Sequence, residues 1–172
     1  GSQAPQGAYC YDAPTFVQAL AADGYLTMCI GGGSFFDKRS ALGSVLPAMF
    51  AQSYWQPGFG CRVQDSTERQ IRFAITRLAR VPKLYLNVDA IHYPNYFYLE
   101  GEREDNVRTH AAALRYVDGQ LAALFDAFGQ RGKTFVICCS DHGTCYGEDG
   151  RIFHGLNHPV VETIPYKQFF LG

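Results

Sequence analysis

Three of the five histidines in this 172-residue chain fall in one stretch, residues 138–159, which reads CCSDHGTCYGEDGRIFHGLNHP. Asp141 and His142 are adjacent there, and His154 and His158 follow a glycine-rich, acidic loop. A carboxylate next to an imidazole, placed where the chain bends, can turn both donors toward one point and hold a zinc or manganese ion. Gly143 then lets the backbone pass close to that ion. Upstream, Asp89 and His92 repeat the pairing of carboxylate and imidazole at a looser spacing. The histidines together point to a divalent metal, with Asp141 and His142 as its pair of ligands and with His154, His158 and His92 as further candidate ligands or catalytic groups. Asp89 is either a ligand or the group that fixes the tautomer of a ligating histidine.

Each of these residues also has a plainer reading. Asp141 could cap a helix beside a surface histidine, His154 could sit in a satisfied loop, and Tyr93-Pro94 could hold His92 in a turn. The Asn157-His158-Pro159 sequence fits a turn as well as it fits a site. His110 reads as helix surface and Asp118 as a structural group of the same helix. Cys145 opposite His142 or His154 would instead make a thiol nucleophile, provided that the two side chains touch.

Such groups need a scaffold to converge. Residues 13–23 have helical spacing at Phe16, Val17 and Leu20, with Asp12 as the expected cap and Gly24 closing the helix. Tyr25 to Ile30 reads as a short buried strand running into Gly31-Gly32-Gly33. A glycine triplet after a strand can cradle an anion, but without the Lys-Ser/Thr of a nucleotide loop it reads chiefly as a turn. Residues 34–64 have weak periodicity apart from a helix over 41–51, and are expected to be irregular. A helix over 65–80, with Ile71, Ile75 and Leu78 on one face, precedes a strand over 83–89. The longest helix is expected over 104–129, with a stripe of Leu114, Val117, Leu121, Leu124, Phe125 and Phe128, and with Gly119 marking close packing. Thr134 to Ser140 is a continuous apolar run of the kind found in a central parallel strand buried on both faces. Ile164 to Leu171 reads as a last strand.

Strands alternating with helices predict an α/β fold with a mostly parallel central sheet flanked by helices. In such a sheet ligands gather at the carboxyl ends of the strands, where Asp89 and His92 follow one strand and Asp141 and His142 another. The length suits a single domain over residues 1–172, with Gly1-Ser2 as the remnant of a cleaved tag. Hydrophobic residues make up 47% of the chain and its formal net charge is −1, so no basic face marks a nucleic-acid partner. No apolar run approaches the roughly 18 residues needed to span a bilayer. The six cysteines include no CxxC pair, and the adjacent Cys138 and Cys139 should point to opposite faces of a strand. Small buried thiols favour a reducing compartment, and a cytoplasmic location is expected.

The segment FVICCSDHGTCYGEDGRIFHG resembles the C-terminal metal-binding segment of the alkaline phosphatase superfamily, in which sulfatases, phosphoglycerate mutases and phosphoethanolamine transferases share a strand ending in Ser-Asp-His-Gly. The Gly-Glu-Asp-Gly loop followed by His-Gly is most similar to the phosphoethanolamine transferase and sulfatase-like branches. FVQALAADGYLTMCIGG resembles the helix-Gly-Tyr-strand unit of sulfatases, LNVDAIHYP their strand ending in a substrate-facing histidine, and LRYVDGQLAALF the helix that follows. HPVVETIPYKQFFL resembles the return to the last core strand. These pieces cover most of the chain in the family's order.

The resemblance implies an alkaline-phosphatase-like fold and a metal-dependent hydrolase or transferase acting on small phosphate or sulfate esters. The metal implied is zinc or manganese, with magnesium and calcium as alternatives. By position, Asp141 and His142 would bind the metal that activates a nucleophile. His154 would serve a second metal or the bound phosphoryl or sulfuryl group, and His92 would face the transferred group's oxygens or the leaving group. Asp89 does not stand four residues before His92, as the phosphatase-type ligand pair requires. The family's early carboxylate and its hydroxyl or modified-cysteine nucleophile precede the helix-Gly-Tyr unit, which starts here near residue 13, and neither Thr27 nor Ser34 occupies the nucleophile position. The chain is therefore expected to be the C-terminal portion of a larger domain and inactive alone, associating with a missing N-terminal half or with itself. The alternative is a non-catalytic metal- or anion-binding domain.

Overall fold

The computed structural model describes residues 13–78 and 83–172; the expected cap Asp12, the expected remnant Gly1-Ser2 and Cys10 lie outside the described residues. Helix α1 (Phe16–Ala22) opens the described chain. Its cap is Thr15, whose hydroxyl accepts the Gln18 amide while the Gln18 side chain accepts the Thr15 amide, a reciprocal box that satisfies two otherwise orphaned donors. Gly24, at φ +82°, ends the helical segment as expected, because only glycine enters that region without a Cβ penalty. Strand β1 (Thr27–Ile30) follows, with all four residues buried.

The segment read as irregular contains a short helix α2 (Ala41–Val45), shorter than the 41–51 expected, and a strand β2 (Gln52–Tyr54). Three residues are too few to show a period, which is why β2 left no mark in the sequence. Helix α3 (Ser66–Ile75) begins after Asp65 as expected, and strand β3 (Lys83–Leu86) comes next. These strands form a parallel sheet in the order β2-β1-β3, with Met28 opposite Gln52 on one side and Leu84 on the other. The parallel sheet flanked by helices is thus present, but its central strand is β1.

Helix α4 (Val107–Gly129) is capped by Asn106 rather than starting at 104. Strand β4 (Thr134–Cys139) corrects the expectation of a central parallel strand. It pairs antiparallel with the last strand, β7 (Tyr166–Leu171), in a sheet of two, and its residues alternate between half-buried and exposed. Phe135 and Ile137 are 51% and 52% exposed, so the apolar run covers only one face among the described residues. Cys138 and Cys139 do point opposite ways. Between β4 and β7 lie the hairpin β5 (Cys145–Tyr146) and β6 (Ile152–Phe153) and the short helix α5 (Pro159–Glu162).

The main core joins Met28 and Ile30 of β1 to Phe59, to Ile71, Ala74 and Leu78, and to Leu124 of α4. Each such large apolar side chain taken from water contributes about 1.5–3 kcal/mol, which is what fixes α3 and α4 against one face of the sheet. Helix α4 also reaches the second sheet, where Phe125 meets Phe169 edge-on at 5.4 Å. It therefore holds β3 and β4 in one body although they share no ladder. Two helix expectations fail in detail. Ile75 and Leu114 are exposed at the margins of their stripes, and Gly119 has open space where a Cβ would stand, so close packing does not explain it.

Candidate metal and anion site

Three histidines from three separate loops meet at one end of the molecule. His142 follows β4, His154 follows β6, and His92 lies beyond β3. The rings of His142 and His154 stack at 4.3 Å, and His92 meets His154 edge-on at 5.3 Å. Tyr93 stacks on His92 at 4.2 Å and meets Phe153 at 5.4 Å, walling one side. The carboxyl ends of β3 and β4 thus face one crevice, even though the strands are not hydrogen-bonded neighbours.

Each loop is held by its own local chemistry. Beyond β3, the Asn87 side-chain oxygen accepts the amides of Gly32 and Gly33, at 3.1 and 3.2 Å. Two of the glycine triplet's donors are therefore spent inside the fold, and the turn reading of Gly31-Gly32-Gly33 holds over the anion cradle. Gly32 is needed for space: a Cβ there would stand 2.6 Å from the Asp89 Cβ. Asn95, fully buried, ties the His92 loop down. Its amide nitrogen donates to the Ile91 carbonyl and the Tyr146 hydroxyl, and its oxygen accepts the Thr109 hydroxyl at 2.6 Å. His110, expected on the helix surface, is instead packed against this network, with Nδ1 3.0 Å from the Tyr146 hydroxyl. Burial lowers its pKa below the usual imidazole range. Asp118 stands exposed on α4.

After β4, the Gly143 amide donates to the Val161 carbonyl at 2.8 Å, and a Cβ at Gly143 would collide with the Val160 carbonyl oxygen. Only glycine lets the chain turn so tightly there. The His142 Nδ1 lies 2.9 Å from the Gly143 carbonyl, an acceptor only, so Nδ1 carries the proton and Nε2 keeps its lone pair. That Nε2 is 3.8 Å from the Asp141 carboxylate. His154 is aimed by an unusual backbone: Phe153 before it lies at φ +74°, in the left-handed region that a bulky residue rarely enters.

The His154 Nδ1 is buried without a hydrogen-bond partner. Burial, followed by the neighbouring His142 and His92 rings, lowers the His154 pKa, so its imidazole stays neutral where a free histidine begins to protonate. A neutral ring with an unpartnered buried nitrogen, stacked on a second ring with a free Nε2 beside a carboxylate, fits a divalent cation in donor type and protonation. The Asp141 side chain, 84% exposed, is free to swing toward it.

His158 is not brought to this crevice. Its Nδ1 accepts the Val160 amide and caps α5, with the Cys145 sulfur 3.4 Å away, and its Nε2 is 3.2 Å from Asp149. The turn reading of Asn157-His158-Pro159 therefore describes it. The thiol reading of Cys145 fails on the same geometry: the residue is fully buried, pairs with His158 rather than with His142 or His154, and has its pKa raised by burial. A buried protonated thiol is a poor nucleophile.

Cys61 is the residue that sequence reasoning missed. Its amide donates to the Asp89 carboxylate at 2.8 Å, and Cys61, Asp89 and His92 can each place one ligand atom so that all lie within 4.8 Å of one another. No other trio of His, Cys, Asp and Glu among the described residues closes so far. Thus Asp89 faces Cys61 rather than completing the set of Asp141, His142 and His154. A separation of 28 positions between Cys61 and Asp89 hid the pair, since only the placement of the 55–61 segment over Gly32 brings them together.

A family model described as Sulfatase matches residues 11–162. No curated protein matches the chain. Among solved structures, the C-terminal periplasmic domain of EptC from Escherichia coli is similar at 15% identity and a TM-score of 0.64, covering 89% of this chain and 50% of that one. A complex of the same domain with zinc is similar at 16% identity and 0.64, covering 89% and 51%. The C-terminal periplasmic domain of the phosphoethanolamine transferase EptC from Campylobacter jejuni is similar at 16% identity and 0.69, covering 90% and 55%. The chain spans about half the length of these structures. They correct the expected cytoplasmic location, because all three are periplasmic domains. The five described cysteines are free, but only Cys29 and Cys145 among them are buried, so the expectation of mostly buried thiols fails and did not report the compartment.

Proposed function

The chain belongs to the sulfatase family, and from that premise we propose that its histidine crevice is the metal- and anion-binding part of an active site acting on phosphate or sulfate esters, as a hydrolase or a transferase. The observation that carries the reading is the convergence of His92, His142 and His154 from three loops, with the buried His154 Nδ1 left unpartnered. Asp141, His142 and His154 would hold a divalent ion, zinc or manganese by donor type. When bound, that ion supplies charge that lowers the pKa of a nucleophilic hydroxyl and polarises the ester oxygens.

The chain's own residues do the rest. His92, fixed by Asn95 and stacked on Tyr93, presents its ring to the oxygens of the transferred group. Neutral His154 keeps the crevice open to a cation and its anion instead of adding a charge of its own. Tyr93 and Phe153, in contact with each other, line one wall. His158, committed to α5 and Asp149, has no part in this set.

In this reading the nucleophile lies outside residues 13–172. Supporting this, no Ser or Thr hydroxyl among the described residues is hydrogen-bonded to His92, His142 or His154, and the chain spans half of its structural relatives. Residues 1–172 then form part of a larger domain, and the relatives' compartment, the periplasm, is extended to this protein on the same footing. The test is metal analysis after loading with zinc or manganese and exhaustive desalting. The parent chain is expected to retain metal, and His142→Ala and His154→Ala to lose at least about tenfold in affinity. Equal metal content in both variants and the parent would exclude the reading.

A further inference from the structure

We propose that Cys61, Asp89 and His92 form a second cation site, suited to a thiophilic divalent metal such as zinc, beside the crevice of His142 and His154. The site is assembled by the parallel sheet rather than by a local motif. Asn87 locks Gly32 and Gly33 onto the end of β3, and Trp55 Nε1 donates to the Gly32 carbonyl at 3.3 Å, which lays the 55–61 segment across that end. The Cys61 amide then closes on Asp89. The result is one sulfur, one carboxylate oxygen and one imidazole nitrogen within 4.8 Å of one another.

The donor set is that of a zinc site with three protein ligands and an open position. A thiolate among the ligands selects against magnesium and calcium, which prefer oxygen alone. Asp89 is half-buried, and none of the ion pairs among the described residues gives it a cationic partner. A carboxylate withdrawn from water without a counter-charge is costly, and a bound cation would supply one. The Cys61 sulfur and the same carboxylate lie within 4.8 Å of each other, so a cation between them would stand in for the thiol proton. The third ligand is already oriented. His92 Nδ1 lies 2.9 Å from the Tyr93 carbonyl, which fixes the proton on Nδ1 and leaves the lone pair on Nε2. Binding exchanges the thiol proton for the metal: the S–H bond breaks, a sulfur–metal bond forms from the same electron pair, and the proton leaves to solvent.

His92 is the one residue shared with the crevice, and its edge contact with His154 places the two sites side by side. The assignment does not depend on the catalytic reading. It is tested with cobalt(II), which substitutes for zinc and reports sulfur ligation through a charge-transfer absorption in the near ultraviolet. Titration of the reduced chain is expected to produce this band in the parent and in His142→Ala, whose altered residue is outside the trio. Cys139→Ser, which removes an exposed thiol, should keep it, and Cys61→Ser should abolish it while far-ultraviolet circular dichroism stays that of the parent. His92→Gln should keep the band but require about tenfold more cobalt or beyond. Absence of the band in the folded parent, its survival in Cys61→Ser, or unchanged cobalt affinity in His92→Gln would each overturn the proposal. Loss of the crevice reading would look different: equal metal content in His142→Ala, His154→Ala and the parent, with the cobalt band intact.

Discussion

Single side chains in this protein are set apart by what their ring nitrogens touch. His142 gives its Nδ1 proton to a backbone carbonyl, His154 has a buried nitrogen with no partner, and His158 has both nitrogens engaged. Residue type marked all three alike in the sequence, and only the hydrogen bonds separate a metal candidate from a helix cap. Burial also has a consequence in pH. His110 and His154 both have pKa values lowered from the usual imidazole value of about 6.5, chiefly by burial. Above that value both groups are neutral folded and unfolded, and contribute nothing to the pH dependence. Below it the unfolded chain takes up protons that the folded chain resists, so stability falls as pH drops. Urea denaturation from about pH 7 to about pH 5 should show this fall, and His110→Gln should flatten it; an unchanged slope in that variant would refute the assignment.

Among the elements, the loops after the strands carry the site, and a few buried polar residues hold them. Asn95 bridges the His92 loop, the start of α4 and the β5 hairpin through Ile91, Thr109 and Tyr146. Asn95→Ala would leave the Thr109 and Tyr146 hydroxyls without this partner, and should cost about 1–3 kcal/mol in denaturant unfolding while loosening His92. A change below about 0.5 kcal/mol would mean that the network is not what positions the loop. This scale also shows how far the sequence could be read. The helices were legible because Ile71, Val117 and Leu124 recur at helical spacing, and the order of strand ends placed His92 and His142 on one side. The pairing was not legible. An apolar run such as Thr134 to Cys139 suits a central strand or a half-covered one equally, because it records hydrophobicity and not what covers each face. Cys61 was invisible for a related reason: its meeting with Asp89 is a product of register, through Gly32 and Trp55, and leaves no spacing to detect.

At the scale of the whole molecule, the two sheets are joined through α4 and leave apolar surface bare. Phe135, Ile137, Tyr166 and Phe170 are 51%, 52%, 59% and 61% exposed on the β4–β7 pair, a patch of the kind that marks an interaction face. The chain by itself should therefore self-associate with rising concentration in sedimentation velocity, and Phe170→Thr should shift it toward monomer; a parent that stays monomeric would contradict this. A crevice that holds metal and anion, as proposed, still requires a hydroxyl to attack an ester. The family model covers residues 11–162, and the chain spans about half the length of its structural relatives. The proposed chemistry turns on a cation among the histidines. Crystals of the zinc-loaded chain, measured on both sides of the zinc absorption edge, locate it directly. An anomalous peak bounded by Asp141, His142 and His154 is expected, and an empty map at those residues at saturating zinc would exclude the cation.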